Sequence, residues 1–156
     1  MVMQEMKFDG TTAYSGGMGG SSKATEGPAF EQAKSQAVMF DQLAYLEDGY
    51  SLDLKGIDNV EGEPCYKMSV TDADGKVTTE FYSVKTNLLL RQVSVEEGMP
   101  GQTITITNDF KDYQDVNGIK LPGTLITTGA MPVPLQMNAT SMKVNEEIPA
   151  NKFKID

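Results

Sequence analysis

The sequence predicts an α+β protein that is mostly β, an antiparallel meander of about seven or eight strands with one helix. Three observations carry this. After residue 49 apolar and polar residues alternate in short runs, the period of a strand with one wet face. Asp74-Gly75 and Asn117-Gly118 sit between such runs, the strongest short hairpin signals. Only residues 28–46 show helical spacing.

The elements follow in order. Residues 1–9 read as a strand. Residues 10–27 carry Gly10, Gly16, Gly17, Gly19, Gly20 and Gly27 among serines and threonines, which predicts a flexible segment. It is no phosphate loop, because Ser22-Lys23 has the reverse of the required order. Over 28–46 Pro28 suits the first helical position, and Phe30, Ala33, Ala37, Phe40 and Ala44 fall on one side. Met39 and Leu46 fall on the other side, so the helix is expected to touch apolar groups on both. Residues 50–156 read as antiparallel sheet. Its strand candidates are 50–55, 64–71, 77–84, 88–96, 102–110, 119–128 and 133–144, with a bulge near Thr140-Ser141. The chain of 156 residues fits a single domain, 1–156. Its opening Met1–Met6 has neither the basic nor the apolar region of a signal peptide, which suggests a piece of a longer chain.

The alternation implies one apolar sheet face. Tyr66, Met68 and Val70 share a parity, as do Val77, Thr79 and Phe81 on the next strand, and Ile104 with Ile106. A helix over 28–46 would be about 28 Å long and about 10 Å wide. Six or seven strands about 4.8 Å apart span some 30 Å. One helix cannot cover that face. The remainder must curl, take up the Gly-rich segment, or meet the parent chain, a partner or an apolar ligand.

Composition excludes several function classes. The net charge of −9 repels nucleic acid and anionic membrane surfaces. No apolar run approaches the roughly 20 residues of a membrane span. There is no histidine and a single cysteine, Cys65, so histidine-based catalysis and imidazole or thiolate metal cages are ruled out. No cofactor or metal is expected, and Cys65 reads as a buried, inert thiol. Asp72-Ala73-Asp74-Gly75 echoes a calcium loop but has glycine at the fourth position and strands on both sides, so it reads as a hairpin turn. Asp109, Asp112 and Asp115 form an acidic group around a bend, conceivable as a weak calcium site. Ten methionines suit an irregular apolar surface.

A series of motifs adds a resemblance. Gly56-Ile57-Asp58-Asn59-Val60-Glu61-Gly62 leads into Tyr66-Lys67-Met68. Asp74-Gly75-Lys76 precedes Phe81-Tyr82-Ser83-Val84-Lys85-Thr86-Asn87-Leu88-Leu89-Leu90-Arg91. Asp112-Tyr113 through Asn117-Gly118-Ile119-Lys120-Leu121-Pro122 comes next, then Val144-Asn145, Ile148-Pro149 and Phe153. In order and spacing this resembles the C-terminal half of bacterial outer-membrane lipoprotein-sorting (LolA/LolB-like) proteins. It also resembles the related domain appended to M16-type zinc peptidases of the cell envelope. The resemblance implies an unclosed half-barrel whose concave apolar face packs the helix and accepts acyl chains, in the bacterial periplasm or envelope. The chain is shorter than a full carrier and lacks several N-terminal strands. The paired histidines of the peptidases are absent, so no enzymatic role transfers.

The expectation is a non-catalytic domain that shelters a lipid, an acyl chain or a lipoprotein. The alternative is a structural or interaction module covered by the rest of its parent chain. Alternation picks Met68, Phe81, Leu89, Ile104, Ile106, Leu125 and Met137 as candidate lining residues of the apolar face.

Overall fold

Turn chemistry fixes the order of the strands. The protein is described by a computed structural model, over residues 4–17, 20–38, 40–46, 49–97 and 101–153. The chain divides into two compact units, Met1–Leu43 with Asn145–Asp156, and Ala44–Val144.

In the first unit β1 (Gln4–Phe8), β2 (Ala13–Gly17) and β3 (Gly20–Ala24) form an antiparallel sheet in that order. The segment expected to be flexible, 10–27, therefore contains two paired strands. The physical reason is that a ladder needs backbone groups, not bulky side chains. Asp9 starts the turn by accepting N–H bonds from Thr11 and Thr12 at 2.9 and 2.7 Å. The Ser15 and Ser22 hydroxyls then bond across β2 and β3 at 2.7 Å.

Helix α1 (Pro28–Gln36) begins on the proline and packs against β1 and β2. Ala33 is buried, and the Phe30 ring meets the Phe8 ring edge-on at 5.5 Å. The helix is shorter than the expected 28–46, because Ala37 and Val38 beyond it are exposed and give it nothing to bury. Residues Asp41–Leu46 form a separate 3-10 helix, as do Ala150–Phe153. Met39 lies outside the described residues, and Leu46 is exposed rather than packed.

The second unit holds a seven-stranded antiparallel sheet, curved and unclosed. Its strands are β4 (Ser51–Val60), β5 (Glu63–Thr71), β6 (Val77–Ser83), β7 (Leu89–Glu97), β8 (Thr103–Lys111), β11 (Thr124–Thr128) and β12 (Leu135–Asn138). The order is β12-β11-β8-β7-β6-β5-β4, so β12 and β4 are its two end strands. Between β8 and β11 a small hairpin of β9 (Gln114–Val116) and β10 (Ile119–Leu121) turns at Asn117-Gly118, both at positive φ.

The single strand expected over 119–128 is broken at Pro122-Gly123. Pro122 has no N–H to continue a ladder, and the Gly123 N–H turns back to the carbonyls of Lys111 and Asp112. The strand expected over 133–144 covers only 135–138. The Ala139 N–H bonds the Gly123 carbonyl at 2.8 Å, and the chain leaves the sheet near where a bulge was expected.

Two register shifts shape the sheet, one between Leu54 and Gly56 on β4, the other between Phe81 and Tyr82 opposite β7. One glycine is fixed by a close approach. Gly129, at the exit of β11, has φ +92°, and an added Cβ would lie 1.9 Å from the Thr105 carbonyl oxygen. A side chain there requires the backbone to move. Gly129→Ala is expected to destabilise the protein by about 2 kcal/mol or more, read as a lower urea midpoint at unchanged slope. A midpoint equal to the wild type's would contradict the close approach.

Candidate functional site on the apolar face of the large sheet

Directly opposed residues in an antiparallel ladder share a face, so the register assigns every side chain of the seven strands to one of two sides. Met68 lies opposite Leu54 on one flank and Glu80 on the other; Val70 lies opposite Leu52, and Tyr66 opposite Ile57 and Tyr82. Tyr82 in turn faces Leu89. Glu80 faces Gln92, and the same parity on β8 holds Ile104 and Ile106. Phe110 faces Leu125, and Leu125 faces Met137. These residues put apolar side chains on one side from β4 to β12, interrupted in the middle by Thr78, Glu80, Gln92, Ser94, Glu96 and Asn108.

Six of the seven candidates, Met68, Leu89, Ile104, Ile106, Leu125 and Met137, thus share this side. Phe81 does not. It pairs with Lys67 and Arg91 on the opposite side, where it is buried with Val60 and Cys65 against Leu90 and Val93. Parity within β6 is legible in the sequence, but only the register against Met68 says that Glu80, not Phe81, joins the apolar side.

The apolar side is partly open. Leu52, Leu54 and Ile57 on β4 are 45, 57 and 66% exposed, and Leu135 and Met137 on β12 are 42 and 48% exposed. Toward the middle of the sheet Met68, Leu89, Ile104, Ile106 and Leu125 are half-buried. Leu52, Leu54 and Ile57 were absent from the sequence candidates, although Leu52 and Leu54 carry the two-residue spacing.

A polar knot sits within this side. Glu80 has no accessible surface. Its Oε1 accepts hydrogen bonds from the Tyr45 hydroxyl at 2.5 Å and the Gln92 Nε2 at 3.1 Å, and its Oε2 accepts one from the Tyr82 hydroxyl at 2.6 Å. Three donors converge on one carboxylate, which is what a buried acid without a cation needs. The Tyr45 ring lies 5.7 Å from that of Tyr50. The bond from Tyr45 ties the 3-10 segment to the sheet. Sequence reading missed all four residues; the visible signal was one acid in phase with Tyr82 and Thr78.

The opposite side carries ion pairs, and outside the Phe81 cluster it also holds Val77 and Val95, 50 and 55% exposed, and Ile126. Arg91 Nε bonds Asp109 Oδ1 at 2.5 Å, and Lys111 bonds Glu61 at 2.8 Å. The hydrogen bond to Asp109 raises the Arg91 guanidinium above its ordinary value. A cleft of about 240 Å³ opens near the β4–β5 turn, lined by Val60, Glu61, Glu63, Leu90, Asp109, Phe110, Lys111, Asp112 and Tyr113. None of the seven candidates lines it. Within it the Tyr113 hydroxyl donates to the Leu89 carbonyl at 2.6 Å, and burial pushes the phenol up to about 12.

The acidic group of Asp109, Asp112 and Asp115 does not converge. Asp109 is taken by Arg91, Asp112 by the Thr124 hydroxyl at 2.7 Å, and Asp115 by Lys120 and the Gly118 N–H. Among the described residues no group of three or more acidic or thiol side chains could hold a metal. Asp72 Oδ1 accepts the N–H groups of Asp74 and Lys76, a turn rather than a cation loop. Cys65 is fully buried, and burial raises its thiol above the ordinary value, away from the reactive thiolate. Among the described residues no helix is long and apolar enough to cross a membrane.

No protein-family model matches the chain, and no curated protein matches it. Among solved structures it is similar to a LolA superfamily protein from Nitrosomonas europaea, at 13% identity and a TM-score of 0.59. The match covers 97% of this chain and 70% of that one. The fold of the chain is LolA-like.

Two outcomes follow from the site. Tyr82→Phe, which removes one donor from Glu80, is expected to cost about 1.5–3 kcal/mol, and Glu80→Ala, which strands three donors and leaves a void, more than Tyr82→Phe. Chemical denaturation measures both; a neutral Glu80→Ala would refute the knot. The second concerns pH. The Tyr113 phenol is raised when folded, so its contribution is complete below about pH 10 and is lost as pH climbs toward 12. Tyr113→Phe should flatten that decline in the stability–pH curve, and an unchanged slope would contradict it.

Proposed function

We propose that the chain is a non-catalytic domain of the bacterial cell envelope that holds an acyl chain of a lipid or lipoprotein on the apolar side of its large sheet. The single observation that carries this is the apolar surface left exposed on this side at both end strands, Leu52, Leu54 and Ile57 on β4 and Leu135 and Met137 on β12. The LolA-like fold supports the reading. Hydrocarbon needs no charged anchor. Burying about ten methylenes contributes about 8 kcal/mol before the cost of association. Glu80 does not oppose this, because its oxygens are already bonded to Tyr45, Tyr82 and Gln92.

The chemistry of the chain agrees with a role in holding rather than converting. It has no histidine, and its one thiol is buried and protonated. A second reading, an interaction module of a larger envelope protein such as an M16-type peptidase, is favoured by β4. This end strand is ten residues long, pairs only with β5 among the described residues and is exposed at every residue but Val60. Under that reading the parent chain covers the apolar residues.

Native mass spectrometry after mild extraction separates the two, with co-purified lipid on the first reading and bare protein on the second. In a titration with a fluorescent fatty acid, Leu54→Asp and Met137→Asp, both at exposed positions, are expected to weaken binding at least tenfold. Phe81→Leu, on the opposite side, should leave affinity within about twofold while lowering stability by about 1 kcal/mol. Equal loss in all three variants, or no loss in the first two, would sink the assignment.

A further inference from the structure

The β11–β12 hairpin has a composition unlike the rest of the chain. From Leu121 to Met142 there is no Asp, Glu, Lys or Arg, although 22% of the whole chain is charged and a stretch of this length would ordinarily carry about five. The charge-free stretch is bounded by Lys120 and Lys143. Its tip, residues 129–134, is exposed throughout, and Met131, Val133, Leu135 and Met137 recur at every second position at 47, 67, 42 and 48% exposure.

The tip is held rather than loose. Gly129 packs its backbone onto the Thr105 carbonyl, leaving no room for a Cβ. Pro132 and Pro134 remove two N–H groups from the exposed backbone, so fewer donors lose water when the tip is buried, and strand addition there is blocked.

We infer that this hairpin tip docks the protein on the interfacial layer of an electrically neutral lipid bilayer, with Met131 and Val133 as the residues that enter it. The rest of the molecule selects the kind of surface. A net charge of −9 repels anionic lipid, whereas the charge-free hairpin meets a zwitterionic headgroup layer without an unpaired ion to desolvate. A protein groove fits less well, since the tip offers neither a charged rim nor the donors that strand pairing uses. The site goes beyond the acyl-chain reading, because its ligand is a bilayer and not a single chain.

The absence of tryptophan in the sequence makes the test direct. Val133→Trp places one reporter at the tip. Val84→Trp places another in the β6–β7 turn, at the opposite end of the strands, also at an exposed position. With vesicles of pure phosphatidylcholine, emission from position 133 is expected to shift to the blue and to be quenched by brominated acyl chains, and emission from position 84 to stay unchanged. Flotation of the otherwise native chain carrying Met131→Asp and Val133→Asp should show at least tenfold weaker partition than wild type. Wild type should float less with phosphatidylglycerol added. No shift at position 133, equal shifts at both positions, undiminished flotation of the double variant, or binding that requires the anionic lipid would each overturn the inference. A wild-type chain that binds fatty acid but not phosphatidylcholine vesicles would overturn it alone and leave the acyl-chain site standing.

Discussion

Everything in the large unit depends on the register of β5 against β6. Met68 stands opposite Glu80 and Lys67 opposite Phe81. A slip of one residue would send Phe81 to the apolar side and Glu80 to the polar one, and the same exchange would follow on β7 and β8. Phe81 would then leave the cluster of Val60 and Cys65, and the Glu80 carboxylate would lose Tyr45. Both faces oppose the slip, so the pairing is specified twice. The two register shifts fall outside this central lock, at Lys55 and Leu90, where they bend the ladder without exchanging its faces.

The lock also places a polar knot on the side shared by Met68 and Met137. A carboxylate with no access to water is costly unless its oxygens are fully bonded. Here two phenols and an amide supply the donors, all from residues of the same unit. The result ties the 3-10 segment to the middle of the sheet while the two ends of the apolar side, on β4 and β12, stay open. The Arg91–Asp109 and Lys111–Glu61 pairs lie on the other side, while Glu96, in phase with Ile104, pairs with Lys76.

Much of this was legible in the sequence, and the failures have physical causes. Asp74-Gly75 and Asn117-Gly118 mark turns because their backbone preferences are local. The alternation of Ile104 with Ile106, or of Leu125 with Met137 across the hairpin, survives folding because strand parity is local too. The side taken by Phe81 was not legible, since it depends on a partner strand. The pairing of residues 13–24 was hidden because glycine and serine advertise flexibility while their backbones still bond. Helix α1 stops at Gln36 because nothing packs on Ala37, a tertiary fact. Glu80 was hidden by its type, since acids are normally read as solvated.

The central claim is that hydrocarbon occupies the side of the sheet shared by Met68 and Met137, away from Phe81. NMR with methyl-labelled methionine and valine tests it, because Met68 and Met137 report from that side and Val93 from the opposite side of the same sheet. A fatty acid spin-labelled along its chain should broaden the Met68 and Met137 methyl signals more than those of Val93. Stronger broadening of Val93, or equal broadening of all three, would contradict the account.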